Sequence, residues 1–355
     1  MSERSGLPAT AAIHATVAVS MLRALLAYLV ERGHARETLI RSARLDAADL
    51  NYPGRRIDGR CFIDLMRYGI ELTGNPLLGL EFGMAADTSR WGTLGRLLRQ
   101  CDTLGQALAY QRRYAHLVNA IGEGRLAIHD GDCALVWQSR ITRMPALAEE
   151  ALAAWVHFAR WAGGRAEAPL AVYLAHRPQG DPAVYRAFFG CEVAFEQADS
   201  AIVFDPALLS RPFACREANA ETTAGLHGRI ERDDADDRAR TLVATLDDWL
   251  ALHLEPGVPD LATAAASMGL GGRQLQQHLH AAGTHYRARI AAVRRRQAER
   301  YLSQPGLSVG DIAIRLGFSE QSAFQRAFQR WYGITPLRWR RQQGPNATLR
   351  SERLP

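Results

Sequence analysis

The chain has 355 residues, 47% of them hydrophobic, and a formal net charge of +6 at pH 7, so it is long enough for two domains with separate cores. No run approaches the roughly 18 consecutive apolar residues of a membrane-spanning helix, and no secretion signal opens the chain. The odd number of cysteines and the lack of a C-x-x-C pair favour reduced thiols in a cytoplasmic protein over a disulfide framework or a metal site.

The front of the chain is predicted to hold helices followed by a small sheet. Apolar residues at helical spacing predict helices over residues 17–32, 59–73, 76–84, 103–118, 145–162 and 182–189. A Thr103-x-x-Gln106 capping box opens the fourth of them. Alternation around Asp130-Gly131 predicts a β-hairpin of residues 124–130 and 133–140. A strand is predicted at 170–176, and a second hairpin at 192–195 and 201–204.

These elements predict an α+β N-terminal domain, with helices and a small, mostly antiparallel sheet, followed by an all-α C-terminal domain with two helix-turn-helix motifs. We assign the N-terminal domain to residues 20–213 and the C-terminal domain to 238–342. A polar, acidic and partly helical linker is predicted at 214–237. Disordered tails are predicted at 1–19 and 343–355.

The charge is distributed unevenly between these parts. All 43 basic residues are arginine, which we attribute to compositional bias and not to function. Residues 255–355 hold 15 Arg against 6 Asp and Glu, whereas residues 1–254 hold 28 Arg against 31 acidic residues. A near-neutral front and a basic back indicate that only the back contacts a polyanion such as nucleic acid.

The decisive feature is a weak internal repeat, from Asp260 to Leu279 and again from Val309 to Phe328. Each copy has the parts of a helix-turn-helix: small residues where two helices cross, a glycine for a left-handed turn, an apolar plug and a buried stripe. In chain order these residues are Ala264, Ala265, Gly269, Leu270, Leu275 and Leu279, then Ala313, Gly317, Phe318, Phe324 and Phe328. Predicted helix caps are Asp260, the Ser308-x-x-Asp311 box and Ser319.

The exposed face of each second helix is the surface that DNA would contact. Arginine pairs with guanine and glutamine with adenine in the major groove, whereas a merely solvated face more often carries lysine and glutamate. An ordinary polar surface explains one such face more easily than two within a basic segment. The candidate base-reading residues are Arg273, Gln276 and Gln277, then Gln321, Ser322, Gln325 and Arg326.

A helix over residues 285–303 is predicted between the two copies. At about 1.5 Å per residue it spans about 28 Å, which can hold two recognition helices about one DNA turn apart. Its arginines could contact phosphate, which positions a protein without specifying sequence, or could simply solvate the helix. They are Arg287, Arg289, Arg294, Arg295, Arg296 and Arg300.

The stretch Asp311-Ile-Ala-x-x-Leu-Gly-Phe-Ser-Glu-x-Ser-x-Phe-x-Arg-Ala-Phe-x-Arg-Trp-x-Gly-x-x-Pro336 is highly specific, and Gly269, the Gly283-Thr284 turn and the Arg294 helix accompany it. With them, the C-terminal domain resembles the DNA-binding domain of the AraC/XylS family. The resemblance implies seven helices that contact two successive major grooves, base reading at the seven positions above, and RNA polymerase as a partner. Copy one departs from the family, with Gly271 where a serine cap is usual and Gln277 where arginine is usual. We therefore expect copy two to match the family more closely.

The front domain carries a second resemblance. The stretches Pro182-x-x-Tyr185-x-x-Phe-Phe-Gly-Cys191-x-Val-x-Phe195 and Asp199-x-Ala-Ile-Val-Phe-Asp205-x-x-Leu-Leu are similar to the arabinose-binding-type regulatory domain of one branch of this family. The resemblance covers about residues 20–213 and implies sensing of a small metabolite, without identifying arabinose. Effectors of members include amino acids such as ornithine.

Several aromatic and polar side chains of this domain could line an effector pocket, although core packing is the alternative for most of them. The candidates are Trp91, Tyr110, Tyr114, His116 and Trp155, with Asn119 and Trp161 beside them. We find no G-x-S-x-G, P-loop, G-x-G-x-x-G or metal-spaced His/Cys pattern. No catalytic residue, metal or cofactor is therefore predicted.

The leading hypothesis is a cytoplasmic transcription regulator that binds specific double-stranded DNA as a homodimer, responds to a small effector and has no membrane partner. The first alternative is a non-specific architectural DNA-binding protein, with a steep salt dependence and nearly equal affinity for every sequence. The second is an enzyme that its DNA-binding part only locates. The sequence leaves open whether transcription is activated or repressed.

Overall fold

The computed structural model describes residues 15–129, 131–140, 144–164, 168–214, 222–255, 257–304 and 306–343. The chain divides into two units, residues 1–234 and 235–355. Cys61, Cys101, Cys133 and Cys191 are free thiols, and Cys215 lies outside the described residues. In the part of the chain that is described, no helix is long and apolar enough to cross a membrane.

Eight α-helices lie in the described part of the front unit up to Phe189. They are α1 (Val19–Val30), α2 (Arg36–Ser42), α3 (Arg60–Thr73), α4 (Leu78–Met84), α5 (Gly92–Leu98), α6 (Leu104–Tyr114), α7 (Pro145–Gly163) and α8 (Pro182–Phe189). Five of the predicted helices correspond to α1, α3, α4, α7 and α8 within a few residues. The sixth, α6, ends earlier than predicted, but the Thr103 hydroxyl accepts the expected hydrogen bond from the Gln106 amide at 3.2 Å.

Two sheets accompany these helices. Strands β1 (Thr16–Ala18) and β2 (Arg56–Asp58) form an antiparallel pair. The five-stranded sheet has the order β3-β4-β7-β5-β6. Its strands are β3 (Gly122–His129), β4 (Asp132–Ser139), β5 (Ala171–Tyr173), β6 (Glu192–Ala194) and β7 (Ser200–Phe204).

The first predicted hairpin is confirmed, with Gly122 opposite Ser139 and His129 opposite Asp132. Gly131 takes a positive φ of 90° in its turn, while Asp130 lies outside the described residues. The second predicted hairpin is wrong, because β5 lies between β6 and β7, parallel to β6 and antiparallel to β7. The connection from β6 to β7 bonds to the residue after β5 instead of forming a tight turn: the Gln197 amide donates to the Leu174 carbonyl at 3.0 Å. An interior position in the sheet also buries Val172 of β5 completely.

One face of the sheet packs against α7 and α8. Leu152 and Val156 of α7, with Tyr185 and Phe189 of α8, share a core cluster with Leu135, Ile202 and Phe204 of the sheet. A larger cluster lies among α1, α3, α5 and α6. Helices α4 and α7 cross so closely that a Cβ on Gly79 would be 2.2 Å from the Ala146 carbonyl oxygen.

Helix α9 runs from Thr223 to His253 without interruption. Residues 223–237 of the predicted linker are therefore helical, and Leu226 and Ile230 are buried in the core of the front unit. After α9 come α10 (Leu261–Ser267), α11 (Gly272–Ala281), α12 (Tyr286–Leu302), α13 (Val309–Arg315), α14 (Gln321–Tyr332) and α15 (Pro336–Gln343). From α9 to α15, the described residues thus have the seven helices that the resemblance implies.

Candidate DNA-binding surface and effector cavity

The two predicted helix-turn-helix motifs are α10 with α11 and α13 with α14. Small side chains allow each pair to cross, and an apolar stripe on each second helix holds it against the core. All of these side chains are nearly or fully buried in one cluster: Ala264, Ala265, Leu275 and Leu279 in the first motif, and Ala313, Phe324 and Phe328 in the second. Because this stripe is buried, the opposite face of α11 and of α14 is exposed to solvent, and we call these two surfaces the open faces.

Each turn uses its glycine in the left-handed conformation, with φ of 68° at Gly269 and 67° at Gly317. The two positions differ in their surroundings. A Cβ on Gly269 would meet no atom within 4 Å, whereas a Cβ on Gly317 would lie 2.3 Å from the Leu254 carbonyl oxygen. Gly317 is therefore required both by its backbone conformation and by a close approach.

Two of the predicted caps are confirmed. Asp260 accepts a hydrogen bond from the Thr263 amide at 2.7 Å. Ser308 and Asp311 form the reciprocal box, each accepting from the other's amide at 3.1 Å. This hydrogen bonding from Ser308 lowers the pKa of the Asp311 carboxyl.

The predicted cap at Ser319 is wrong. Helix α14 begins one residue later than that prediction requires, with Glu320 in the extended conformation at the N-cap and no side-chain cap. Glu320 instead accepts a hydrogen bond from the Ser322 hydroxyl at 2.9 Å.

At the start of α11, Gly271 occupies the N-cap and has no side chain to offer. The Gln274 side chain accepts from the Gly271 amide at 2.9 Å, so one half of a capping box remains.

The seven candidate base-reading residues lie on the open faces of α11 and α14, away from the buried stripes. Arg273, Gln276 and Gln277 are exposed on α11. On α14, Gln321 and Arg326 are exposed, while Ser322 and Gln325 are partly exposed. Each motif thus presents a single polar helix face with arginine and glutamine on it.

Several arginines of α12 have structural partners. Arg289 and Arg296 both donate to the carboxylate of Asp247, which is 4% exposed. Arg295 donates to the Tyr332 hydroxyl at 3.0 Å. Of the six arginines considered for phosphate contact, Arg287 and Arg300 are exposed and have no hydrogen bond within the described residues.

Arg294 holds the turn of the second motif. Its guanidinium donates to the carbonyls of Leu316 at 2.8 Å and Gly317 at 2.5 Å. Carbonyls at the end of a helix such as α13 have no partner within the helix, and Arg294 supplies one. It also lies 4.0 Å from the centre of the Phe318 ring. Burial lowers its pKa, in keeping with a packed structural position.

A cavity of about 180 Å³ lies within the front unit, between α6, α7 and the sheet. Apolar side chains make up most of its wall. Those used below are Leu108 of α6, Trp137 of β4, Trp155 and Phe158 of α7, and Trp91.

The polar groups in the cavity wall are few. Arg90 and Glu150 form a buried ion pair, and Arg90 also donates to the Phe82 carbonyl at 3.2 Å. Burial raises the pKa of Glu150, and the neighbouring guanidinium opposes that shift. Two residues of the wall each have a buried atom without a hydrogen-bond partner in the described structure, the Gln111 Oε1 acceptor and the Arg90 Nε donor.

The structure separates the predicted effector residues into two groups. Trp91, Trp155 and Asn119 line the cavity. Tyr110, Tyr114 and His116 lie outside it, and so does Trp161, which packs on Phe158 and Phe213. Sequence reasoning missed Arg90, Gln111, Trp137 and Glu150, since no local pattern links residues so far apart along the chain.

Tyr110, Tyr114 and His116 instead contact the first turns of α9. His227 of α9 lies 5.6 Å from the Tyr110 ring and 6.4 Å from the Tyr114 ring, between centroids. His116 Nε2 lies 2.9 Å from an oxygen of Asp234, which is 7% exposed as a side chain.

Two family models match the chain. The model described as "Arabinose-binding domain of AraC transcription regulator, N-term" matches residues 33–213, and one described as "Helix-turn-helix domain" matches residues 264–342.

Among curated proteins, the chain is 30% identical over 336 residues to an ornithine utilization regulator of Pseudomonas aeruginosa, covering 91% of this chain and 96% of that protein. It is 36% identical over 168 residues to the HTH-type transcriptional regulator VirS of Mycobacterium tuberculosis, 46% of this chain and 48% of VirS. The solved structure of the regulator CdpR from Pseudomonas aeruginosa aligns with a TM-score of 0.41 at 20% identity, over 91% of this chain and 98% of CdpR.

Proposed function

We propose, because the chain belongs to the family of AraC-type transcription regulators with an arabinose-binding N-terminal domain, that it reads specific DNA sites through both helix-turn-helix motifs under the control of a small effector. The observation that carries the proposal is the pair of open faces on α11 and α14, each with arginine and glutamine at base-reading positions. The chain acts on double-stranded DNA in the cytoplasm as a homodimer, with RNA polymerase as its partner in transcription.

Effector control is supported by the position of α6. One face of this helix contributes Leu104, Leu108 and Gln111 to the cavity wall. Another face carries Tyr110, Arg113 and Tyr114, which contact α9. A ligand that moves α6 therefore changes the surface on which the start of α9 rests.

The start of α9 is held in the front unit by several kinds of contact. Leu226 and Ile230 are buried in its core, and Arg113 pairs with Glu231 at 3.3 Å. The same helix continues past Asp234 to His253 in the DNA-binding unit. An effector shifts the equilibrium between two arrangements of α6 and α9 only as far as it binds one of them better than the other. Under this proposal, binding in the cavity and packing of α9 against α6 are thermodynamically linked.

Footprinting of the full chain on genomic fragments tests the site-specific function. We expect protected sites that contain two half-sites about one DNA turn apart. The architectural alternative predicts no preferred site and nearly equal affinities for all fragments with a steep salt dependence. Protection without sequence preference would therefore replace the regulator proposal with the architectural one.

Replacing Arg326 with alanine should weaken binding to a footprinted site by about 1–3 kcal/mol and relax the preference at one base position. The reason is that its exposed guanidinium lies on the open face of α14, where it can pair with a guanine. Titrations of a labelled site and of its single-base variants measure both effects.

Arg330→Ala is the matched control, since this exposed arginine lies one turn further along the same helix, outside the base-reading set. It should reduce affinity for all sequences alike. If Arg326→Ala also lowered affinity equally for the site and for random DNA, Arg326 would not read a base.

A further inference from the structure

We propose that the cavity of the front unit binds a compact, largely apolar molecule without a cationic group, with a hydrogen-bond donor that meets Gln111 Oε1. This inference rests on the proposed effector control and names the chemistry of the effector. It follows from three properties of the cavity: its size, its charge and its unsatisfied polar atoms.

The volume of the cavity suits a ligand of roughly ten non-hydrogen atoms. A cavity of about 150 Å³ in an apolar protein core holds benzene, and the volume here is about 180 Å³. Trp91, Trp137 and Trp155 contribute flat apolar surfaces to the wall, which suits a ring.

The negative charge in the wall is already paired, and the other charged side chain of the wall, Arg211, is a cation. Glu150 is the acidic residue that lines the cavity, and its carboxylate is paired with Arg90. A ligand ammonium group would lack a free carboxylate, and burying an unpaired charge is strongly unfavourable. A basic amino acid such as ornithine, whose name the Pseudomonas relative carries, does not fit this wall.

The unsatisfied atoms set the polar requirement of the ligand. Gln111 Oε1 is a buried acceptor without a donor, and Arg90 Nε is a buried donor without an acceptor. A ligand with one N–H or O–H and one carbonyl or hydroxyl oxygen satisfies such atoms, whereas a sugar brings several hydroxyl groups that the apolar wall leaves unpaired. The structure thus selects against polyhydroxylated ligands as well as cationic ones.

Four probes of the full chain test this assignment by thermal shift and calorimetry: benzamide, acetophenone, L-ornithine and L-arabinose. Benzamide and acetophenone have the same number of non-hydrogen atoms, but only benzamide carries a donor. We expect both to raise the melting temperature, with benzamide binding roughly tenfold more tightly, and the other two probes to have no effect. Stabilisation by ornithine or arabinose, or no shift with either aromatic probe at millimolar concentration, would overturn the proposal.

The variant Gln111→Met tests whether the hydrogen-bond donor of the ligand contacts Gln111. Methionine has nearly the same shape but a weak acceptor, so this variant should bind benzamide and acetophenone equally. Gln138→Leu, which changes an exposed glutamine of β4 outside the cavity, should keep the tenfold preference. A preference that survives in Gln111→Met would contradict the assignment.

A second variant, Leu108→Trp, places a larger side chain in the cavity wall, one turn of α6 before Gln111. It should weaken both aromatic probes. Binding that is unchanged in this variant would place the probes elsewhere and overturn the cavity assignment.

The inference and the proposed function can fail separately. Site-specific footprints without any probe decide whether the chain reads DNA. Benzamide that binds as expected but leaves the affinity for the footprinted site unchanged would support the ligand site and count against its role as the control site.

Discussion

Replacing Gly317 with alanine should destabilise the C-terminal unit by about 3–5 kcal/mol, whereas the same change at Gly269 should cost about 1–2 kcal/mol. Both glycines have φ near +67°, so both variants suffer the strain of a left-handed alanine. Only at position 317 would the new Cβ also overlap a backbone atom, the Leu254 carbonyl oxygen at 2.3 Å. Hydrogen exchange of amides in α13 and α14 measures the opening free energy of this unit.

Gly269→Ala is the matched control because it repeats the strain in the equivalent turn without the overlap. Equal costs at the two positions would mean that the Leu254 carbonyl moves aside easily. The close approach would then contribute nothing to the stability of the second motif. Unequal costs would support the view that the second turn is held more tightly than the first.

The frame of both helix-turn-helix motifs could be predicted from the sequence. Glycine after a short amphipathic helix predicts a left-handed turn, because the strain of a positive φ depends on the residue itself and glycine has the least of it. Helical periodicity likewise decides which residues are buried, so Leu275 and Phe324 were assigned to the core and Arg273 and Arg326 to the open faces. Local rules therefore predicted the frame of both motifs.

Contacts between distant residues could not be predicted in this way. The guanidinium of Arg294 looks like a phosphate contact in the sequence, but it binds two carbonyls at the end of α13. Arg90 and Glu150 meet only because α7 passes over the segment before α5, which no spacing in the sequence reveals. This ion pair in the cavity wall was missed for that reason, although Trp91 and Trp155 of the same wall were among the candidates.

Strand pairing shows the same limit in the sheet. The alternation around Gly131 predicted one hairpin correctly, since its turn residues and strands are adjacent in sequence. Strands β6 and β7 are also close in sequence, yet they pair with β5 and not with each other. The burial of Val172 in this interior strand, β5, outweighs the local tendency to form a hairpin.

The unfolding free energy of the front unit should fall by about 3 kcal/mol between about pH 4.5 and pH 7 because of Glu149 alone. The Glu149 side chain is 1% exposed, and burial raises its pKa to about 7, with the hydrogen bond from the Tyr185 hydroxyl opposing the shift. In the unfolded chain the carboxyl has its usual pKa of 4.5. Between these values the folded state holds a proton that the unfolded state has lost, so raising the pH favours unfolding.

Glu149→Gln removes this titration while keeping the size of the side chain. The difference in unfolding free energy between wild type and variant, measured in urea across this pH range, isolates Glu149 from the adjacent Glu150, whose carboxylate is paired with Arg90. His176 Nε2 lies 3.8 Å from Glu149, and burial lowers the pKa of His176, which disfavours the cationic form that would stabilise the carboxylate. A wild-type slope that persists in Glu149→Gln would mean that Glu149 is ionised throughout this range and that a positive charge reaches it in solution.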